Sequence, residues 1–363
     1  MSSSGLRATV VVRRPGFDLE VELDIASSTT AALLGPNGAG KSTVVGALAG
    51  TLGARPEELA GTRIELDGRV LDDVDPNGAS VHVAPPDRRV AVVFQDHLLF
   101  DHLTVLDNVA FGPRHRGSSR REARDIARRW LQAVELNPLG ELRPPALSGG
   151  QAQRVAIARA LASDADLLLL DEPLAALDVA TRTTVRRLLR RHVADVEAPR
   201  LLITHDPTDA FLLADVVHVI EGGRITQVGS PAQIRRHPAT PYVAALAETN
   251  LFTGTVRDGA VRIEGSDATL VTSDRTLEGR VAVTVHPRSV SLHASEPHGS
   301  QRNTWSTTVE LVEPLGDVVR VTLGAPLPIA VDVTSTSADE LALAPGAPVW
   351  AAVKATEVTA EPA

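Results

Sequence analysis

The sequence predicts an α/β domain with a phosphate-binding loop, followed by a small all-β barrel or sandwich. Three observations predict it. Through about residue 232, short apolar runs alternate with amphipathic stretches, the rhythm of β-α-β units around a parallel sheet. Gly35 to Thr43 reads G-P-N-G-A-G-K-S-T, set between an apolar run and a helical pattern. After residue 250 the rhythm changes to short alternating runs with Gly, Pro and Asp turns and almost no helical pattern.

Taken in chain order, Ala31–Leu34 reads as the strand before the Gly-rich loop, and Val44–Ala49 as the helix after it. Ile64–Leu71 turns over at Asp67-Gly68, a two-residue hairpin signal. Val90–Phe94, Leu167–Leu170 and Leu201–Thr204 share with Ala31–Leu34 the continuous apolar character of strands buried on both faces. Ser119 and Glu122 form a capping box for a helix with Ile126, Trp130 and Val134 on one side. Val216–Ile220, Gly222-Gly223 and Ile225–Val228 read as a second hairpin. Ser230-Pro231, an N-cap before a first-turn proline, opens a short helix. Pro238, Pro241 and the stretch to Asn250 read as a connector. The expected division is a first domain at 1–232, a linker at 233–250 and a β domain at 251–363. Its clearest strands are Val281–Val285, Val309–Val312, Val318–Leu323 and Val349–Lys354.

Composition narrows the function classes. The 363 residues carry a net charge of -9, which argues against a nucleic-acid coat. The Arg-rich stretch 114–129 is broken by Glu122 and Asp125 and reads as a solvated helix face. The chain has no cysteine, which excludes disulfides, iron–sulfur clusters, thiolate zinc sites and a cysteine nucleophile. No apolar run approaches the roughly 18 residues of a membrane span. Met1 to Val12 lacks a basic-then-apolar leader pattern, so the expected location is the cytosol. Of 36 basic residues only Lys41 and Lys354 are lysines. Arginine is a planar fork and lysine a compact point charge, so these two positions suggest a need for an ammonium.

Lys41 lies in the G-x-x-x-x-G-K-[ST] pattern. The glycines let backbone N–H groups curl around phosphate oxygens, and the helix N-terminus adds its positive dipole end. Gly35, Pro36, Asn37, Gly38, Ala39, Gly40, Lys41, Ser42 and Thr43 therefore form the expected nucleotide cradle. Lys41 would bridge the β- and γ-phosphates of ATP, and the Ser42 hydroxyl would coordinate Mg2+. Leu167–Leu170 ends in Asp171-Glu172-Pro173, two carboxylates at the edge where open α/β sheets bind ligands. Asp171 is expected to hold Mg2+, directly or through water, and Glu172 to polarise the attacking water. Gln95 follows Val90–Phe94 and His205 follows Leu201–Thr204. Four strands thus end in groups suited to phosphate, metal or water. A second anion site is expected at L-S-G-G-Q, Leu147 to Gln151, where Ser148, Gly149 and Gly150 open a helix. It serves either another ligand or the nucleotide of a second subunit.

With these residues in view, 1–232 resembles an ABC-transporter nucleotide-binding domain. L-S-G-G-Q-A-Q-R is similar to the ABC signature, L-L-L-L-D-E-P to Walker B, and Leu174 to Asp178 to the D-loop. Gln95 resembles the Q-loop glutamine and His205 the switch histidine. The resemblance implies a mixed sheet with a helical subdomain, catalytic roles for Glu172, His205 and Gln95, and Gln95 as a third metal-site residue. It also implies a head-to-tail homodimer, in which Ser148, Gly149, Gly150, Gln151 and Asp178 of one subunit face the ATP of the other. An aromatic residue stacks on adenine in that family. Phe17 is the candidate, and a strand-face core position is its other reading.

The β domain resembles the oligosaccharide-binding-like barrel of molybdate importer ATPases. The likeness rests on S-Q-R-N (300–303), E-P-L-G-D-V-V-R-V (313–321), V-T-S-T-S (333–337) and K-A-T-E-V (354–358). It implies a molybdate or tungstate site at Arg302, Thr334, Ser335, Lys354 and Thr356, with Thr356 on the face of Lys354 by the two-residue strand period. The implied protein is the ATPase subunit of a molybdate importer, peripheral on the cytoplasmic face of the bacterial membrane. Its partners would be transmembrane permease subunits and, through them, an extracytoplasmic solute-binding protein. Nucleic acid is not an expected partner. The alternatives are an importer of sulfate or another solute, a soluble ABC ATPase, or an oxyanion storage or sensing protein.

Overall fold

A computed structural model describes residues 5–53, 56–75, 80–175, 177–193 and 196–362. Met1 to Ser4 of the N-terminal stretch and Ala176 of the Leu174–Asp178 turn lie outside them. The first compact unit is Met1–Pro231 and the second Ala232–Ala363.

The first unit opens with β1 (Gly5–Arg14) and β2 (Phe17–Ala26), paired antiparallel along their full length. The β2 sequence F-D-L-E-V-E-L-D-I-A alternates, burying Leu19, Val21, Leu23 and Ile25 on one face. β3 (Thr30–Leu34) is buried at every position, as the continuous apolar run requires. Next come α1 (Lys41–Ala49), β4 (Arg63–Leu66), β5 (Arg69–Asp73) and β6 (Val81–His82). The β4–β5 turn carries φ of 49° at Asp67 and 80° at Gly68, the two left-handed positions of a type I′ hairpin. Then follow β7 (Val90–Val93), α2 (Val105–Val109), α3 (Phe111–His115), α4 (Arg120–Ala133) and α5 (Gly149–Ala162). The unit closes with β8 (Leu167–Asp171), α6 (Val179–His192), β9 (Arg200–Thr204), α7 (Pro207–Leu213), β10 (Val216–Glu221) and β11 (Arg224–Gly229).

Among the described residues these strands form one sheet in the order β6-β5-β4-β1-β2-β11-β10-β3-β9-β8-β7. The sheet is mixed. β10, β3, β9, β8 and β7 run parallel, and the β1-side strands are antiparallel. Successive leucines of β8 face opposite layers. Leu168 and Leu170 join the cluster with α2, α4 and α5, whereas Leu167 and Leu169 join the cluster with α1. Burying each such side chain contributes roughly 1.5–3 kcal/mol. On α4 the capping box at Ser119 and Glu122 is present. Its fully buried stripe is Ala123, Ala127 and Leu131, with Ile126 and Trp130 half-buried at the margin. Small alanines on that stripe let α4 pack closely, which pushes the larger side chains to its edge.

Arg88 is fully buried and ties the end of α1 to β5 and to Val83, just past β6. It donates to Ala47 and Leu48 carbonyls at the α1 C-terminus, to Val83 O and to Asp72 Oδ1. A cation at a helix C-terminus is favoured by the helix dipole. His218, in β10, is 4% exposed, and neither ring nitrogen has a hydrogen-bond partner. Burial lowers its pKa, and the Asp24 carboxylate pulls weakly the other way. The folded state therefore binds fewer protons than the unfolded chain, whose histidine titrates near about 6.5. Stability is fully present above that pH and falls as pH drops toward the depressed folded value. In denaturant titrations between pH 7.5 and 5.5, His218→Leu is expected to flatten this fall. Parallel curves for the two proteins would remove His218 as its source.

The second unit contains α8 from its second residue (Pro231–Arg236), α9 (Pro241–Leu246), β12 (Asn250–Arg257), β13 (Ala260–Ile263), β14 (Thr269–Val271) and β15 (Gly279–Val285). It continues with β16 (Val290–His293), β17 (Asn303–Leu315), β18 (Val318–Leu323), β19 (Ile329–Thr334), α10 (Ser335–Glu340), β20 (Pro348–Val353) and β21 (Val358–Pro362). Two five-stranded sheets, β14-β13-β12-β15-β21 and β16-β20-β17-β18-β19, enclose one apolar cluster. The 233–250 stretch read as a linker holds most of α8 and all of α9, whose Ile234, Val243 and Ala244 are buried.

Candidate active site

The site begins where β3 ends. Gly38 and Gly40 have φ of 80° and 105°, and Gly40 precedes the first residue of α1. A Cβ on Gly40 would sit 2.5 Å from Leu19 Cδ1, and one on Gly35 would sit 2.2 Å from Ile220 O. The left-handed backbone calls for glycine at Gly40, and the Ile220 carbonyl leaves no room for a Cβ at Gly35. Lys41 is buried, and its Nζ donates to Gly35 O at 2.7 Å and Pro36 O at 2.9 Å. Burial lowers the pKa of this ammonium, opposed by Glu172 and Asp171. Phe17 lies beside the loop, its ring tip 3.3 Å from where a Gly40 Cβ would stand. It is half-buried and also packs on the α1-side cluster, so the loop contact and the strand-face role coexist.

Register then aligns the other strand ends with the loop. Leu34 pairs with Thr204, Asp171 with Ile203 and Val93 with Leu170. Residues 35, 95, 172 and 205 therefore leave the sheet along one edge. Burial raises the Asp171 pKa, Glu172 adds to the rise, and Lys41 opposes it. Glu172 has φ of 45° while its N donates to Ile203 O at 3.0 Å. For a residue with a side chain that conformation costs on the order of 1–3 kcal/mol. His205 Nδ1 lies 3.2 Å from Glu172 Oε1, and the imidazole is about half exposed. Gln95 is exposed, two residues beyond β7.

The second anion site has a capping box. Ser148 Oγ accepts from Gln151 N at 3.3 Å, and Gln151 Oε1 accepts from Ser148 N at 2.9 Å. Ser148 and Gly149 are exposed, so the N-terminus of α5 faces outward. A Cβ on Gly150 would stand 2.5 Å from Thr181 Cγ2, so this glycine brings α5 close to α6. Asp178 is exposed and caps α6 through Ala180 N and Thr181 N, and its hydrogen bonds with the Thr181 side chain and backbone hold its carboxyl below the usual range. Gln153 was not singled out by the sequence. It is buried and donates to Pro173 O at 2.7 Å, tying α5 to the Glu172 turn. The acceptor is a backbone atom 20 residues away, which leaves no residue-type signal.

Past Gln95, His97 and Leu98 both have positive φ, and Arg159 of α5 donates to both carbonyls. The same guanidinium lies 5.3 Å from the Phe100 ring centroid. Leu98 and Phe111 are exposed, and Phe111 contacts Phe100 at 4.7 Å between centroids.

In the second unit, Asn303 pairs with Val353, so Arg302 and Lys354 extend neighbouring strands at the same end. Thr334 pairs with Val318, which pairs with Leu315 at the opposite end of β17. The register brings Arg302 and Lys354 together and sets Thr334 and Ser335 at the far end of that strand. Thr334 Oγ1 accepts from Ser337 N, capping α10. The strand period does not extend to Thr356. Lys354 precedes a 3-10 turn, Ala355–Glu357, which rotates Thr356 off the alternation. All five residues are exposed.

Comparison with known proteins places this geometry. The ABC transporter family model matches residues 19–175, and the TOBE domain model matches 299–360. The molybdenum import ATP-binding protein ModC of Mycobacterium tuberculosis is 44% identical over 375 residues, covering 100% of this chain and 98% of that protein. The sulfate/thiosulfate import ATP-binding protein CysA of Thermosynechococcus vestitus is 38% identical over 306 residues, covering 84% and 81%. Among solved structures, the dimeric ATP-binding cassette MJ0796, in a post-hydrolysis state with ADP and Pi, has a TM-score of 0.52 and 27% identity. It covers 62% of this chain and 98% of that one.

Proposed function

We propose a function from one premise: the chain belongs to the ABC-transporter family of import ATP-binding proteins. It is an ATP hydrolase that energises an importer, and its cargo is molybdate or tungstate. The observation that carries the cargo is the extent of likeness. The molybdenum import relative aligns along 100% of this chain at 44% identity, the sulfate/thiosulfate relative along 84% at 38%.

The chemistry follows from the strand ends. The loop N–H groups and Lys41 hold the β- and γ-phosphates. Glu172 accepts the proton of the attacking water, and His205 beside it orients the γ-phosphate end. A hydroxyl and a desolvated carboxylate are hard oxygen donors of the kind Mg2+ takes together with substrate phosphates. Ser42, Asp171 and Gln95 would hold that ion, and it would neutralise phosphate charge. A head-to-tail homodimer supplies the partner's Ser148 to Gln151 and Asp178, with the outward-facing α5 N-terminus as support. Among the described residues no helix is long and apolar enough to cross a membrane. The exposed Leu98 and Phe111 fit a permease contact, with the chain bound peripherally at the cytoplasmic face.

Arg302 and Lys354 are the proposed cationic pair for an oxyanion at the second unit, because adjacent cations suit a dianion. Two experiments test these readings. In a bacterium lacking its own molybdenum import ATP-binding protein, this chain is expected to restore molybdate uptake. Restoration of sulfate uptake alone would move the cargo to sulfate. In calorimetry of the full chain, molybdate should bind above sulfate, and Lys354→Ala should weaken it about 10- to 150-fold, the worth of one charge-assisted hydrogen bond. Unchanged affinity in the variant removes Lys354 from the site.

A further inference from the structure

Two ion pairs join α6 to α7. Arg182 Nη1 lies 3.3 Å from Asp206 Oδ2, and Arg186 Nε donates to Asp209 Oδ1 at 2.7 Å. Arg182 and Arg186 stand one turn apart on α6, so both rungs leave the same helix face. Asp209 is 2% exposed; burial raises its pKa and the Arg186 guanidinium opposes that rise. Arg182 Nε is buried with no hydrogen-bond partner. This guanidinium has thus given up water on one side while its Nη1 reaches Asp206.

Asp206 is fixed from three directions. Its Oδ1 accepts from Thr208 N at 2.7 Å and its own N donates to Thr204 Oγ1 at 3.0 Å, while Oδ2 faces Arg182. The residue before it is His205, 3.2 Å from Glu172. The other end of the ladder is the first turn of α6, capped by Asp178.

We propose that Arg182 is a positioning residue for hydrolysis. Through Asp206 it ties His205 to α6, with the Arg186–Asp209 pair as the second rung. The histidine then faces Glu172 only while α6 keeps its place. This rests on the reading that His205 acts in hydrolysis. Displacing a reacting group by about 1 Å can cost on the order of 100-fold in rate.

The test is steady-state ATPase of the full chain. Asp206→Asn keeps a good capping oxygen for Thr208 N but removes the charge facing Arg182. Arg182→Gln removes the other partner. Arg186 is left intact, because its loss would strand the buried Asp209 carboxylate. Each single variant is expected to lower kcat about tenfold, with the KM for ATP within about twofold. The double variant should be no slower than the slower single, since both break one link. In a His205→Ala background neither substitution should lower kcat further. Unchanged kcat in both single variants overturns the proposal. So do losses that add in the double variant and persist without His205, because they indicate general weakening. Full activity of His205→Ala overturns the underlying reading instead, and is visible before any ladder variant is made.

Discussion

Glu172→Gln is expected to bind ATP normally and to hydrolyse it about 10²–10⁴-fold more slowly. Glutamine has nearly the same shape, so the turn held by Glu172 N on Ile203 O should persist. What disappears is the carboxylate proposed to accept a proton from water. The substitution also removes a charge from a crowded corner. Glu172 raises the Asp171 pKa and also the Lys41 pKa. In the variant Asp171 should ionise at lower pH, and Lys41 should lose part of its electrostatic support. Neither change restores a base. A nucleotide-bound dimer should accumulate, seen as a shift in light scattering with ATP, because closure no longer leads to cleavage. Activity equal to that of the unmodified chain would take Glu172 out of the mechanism.

Ser148→Arg should abolish dimer-dependent hydrolysis, by roughly 100-fold or more, while ATP still binds at the phosphate loop. The expected cause is bulk and charge at the exposed α5 N-terminus, where the partner's γ-phosphate would sit. Ser148 also caps its own helix through Gln151 N. Losing a cap costs about 1 kcal/mol, so Ser148→Ala is the necessary companion. The alanine variant should lose some thermal stability and less activity than the arginine variant, because it removes one hydroxyl without adding bulk or charge. If both variants lose activity equally, the cap explains the effect and the shared-site reading fails. If Ser148→Arg hydrolyses ATP at the normal rate, no partner phosphate lies near Ser148.

Much of the first unit was legible because its signals are local. Continuous apolar runs marked β3, β7, β8 and β9, the Ser119 capping box marked α4, and Ser148 before Gly149 and Gly150 marked the start of α5. The hairpin at Asp67-Gly68 was legible because few residues accept two left-handed positions in succession. In the second unit the strands were legible, but not which of their ends meet. The oxyanion candidates were chosen by residue type and likeness, and two of them lie at the opposite end of β17 from Lys354.

By itself, then, the sequence determined the phosphate loop, the two carboxylates, the core strands β3, β7, β8 and β9, and the change to an all-β unit. Each of these is written in consecutive residues, where backbone preference and burial period act directly. Only the tertiary structure decided the mixed sheet order, which sets β3 between β9 and β10 although both follow it by more than 160 residues. The same holds for Arg88 on the α1 carbonyls, Gln153 on Pro173 O, Arg159 on the His97 and Leu98 carbonyls, and Arg182 on Asp206. The reason is physical. A side chain that reaches across the fold is placed by register and layer packing, and most of these arginines and the glutamine end on backbone oxygens. Every residue carries such an oxygen, so the sequence does not distinguish the acceptor.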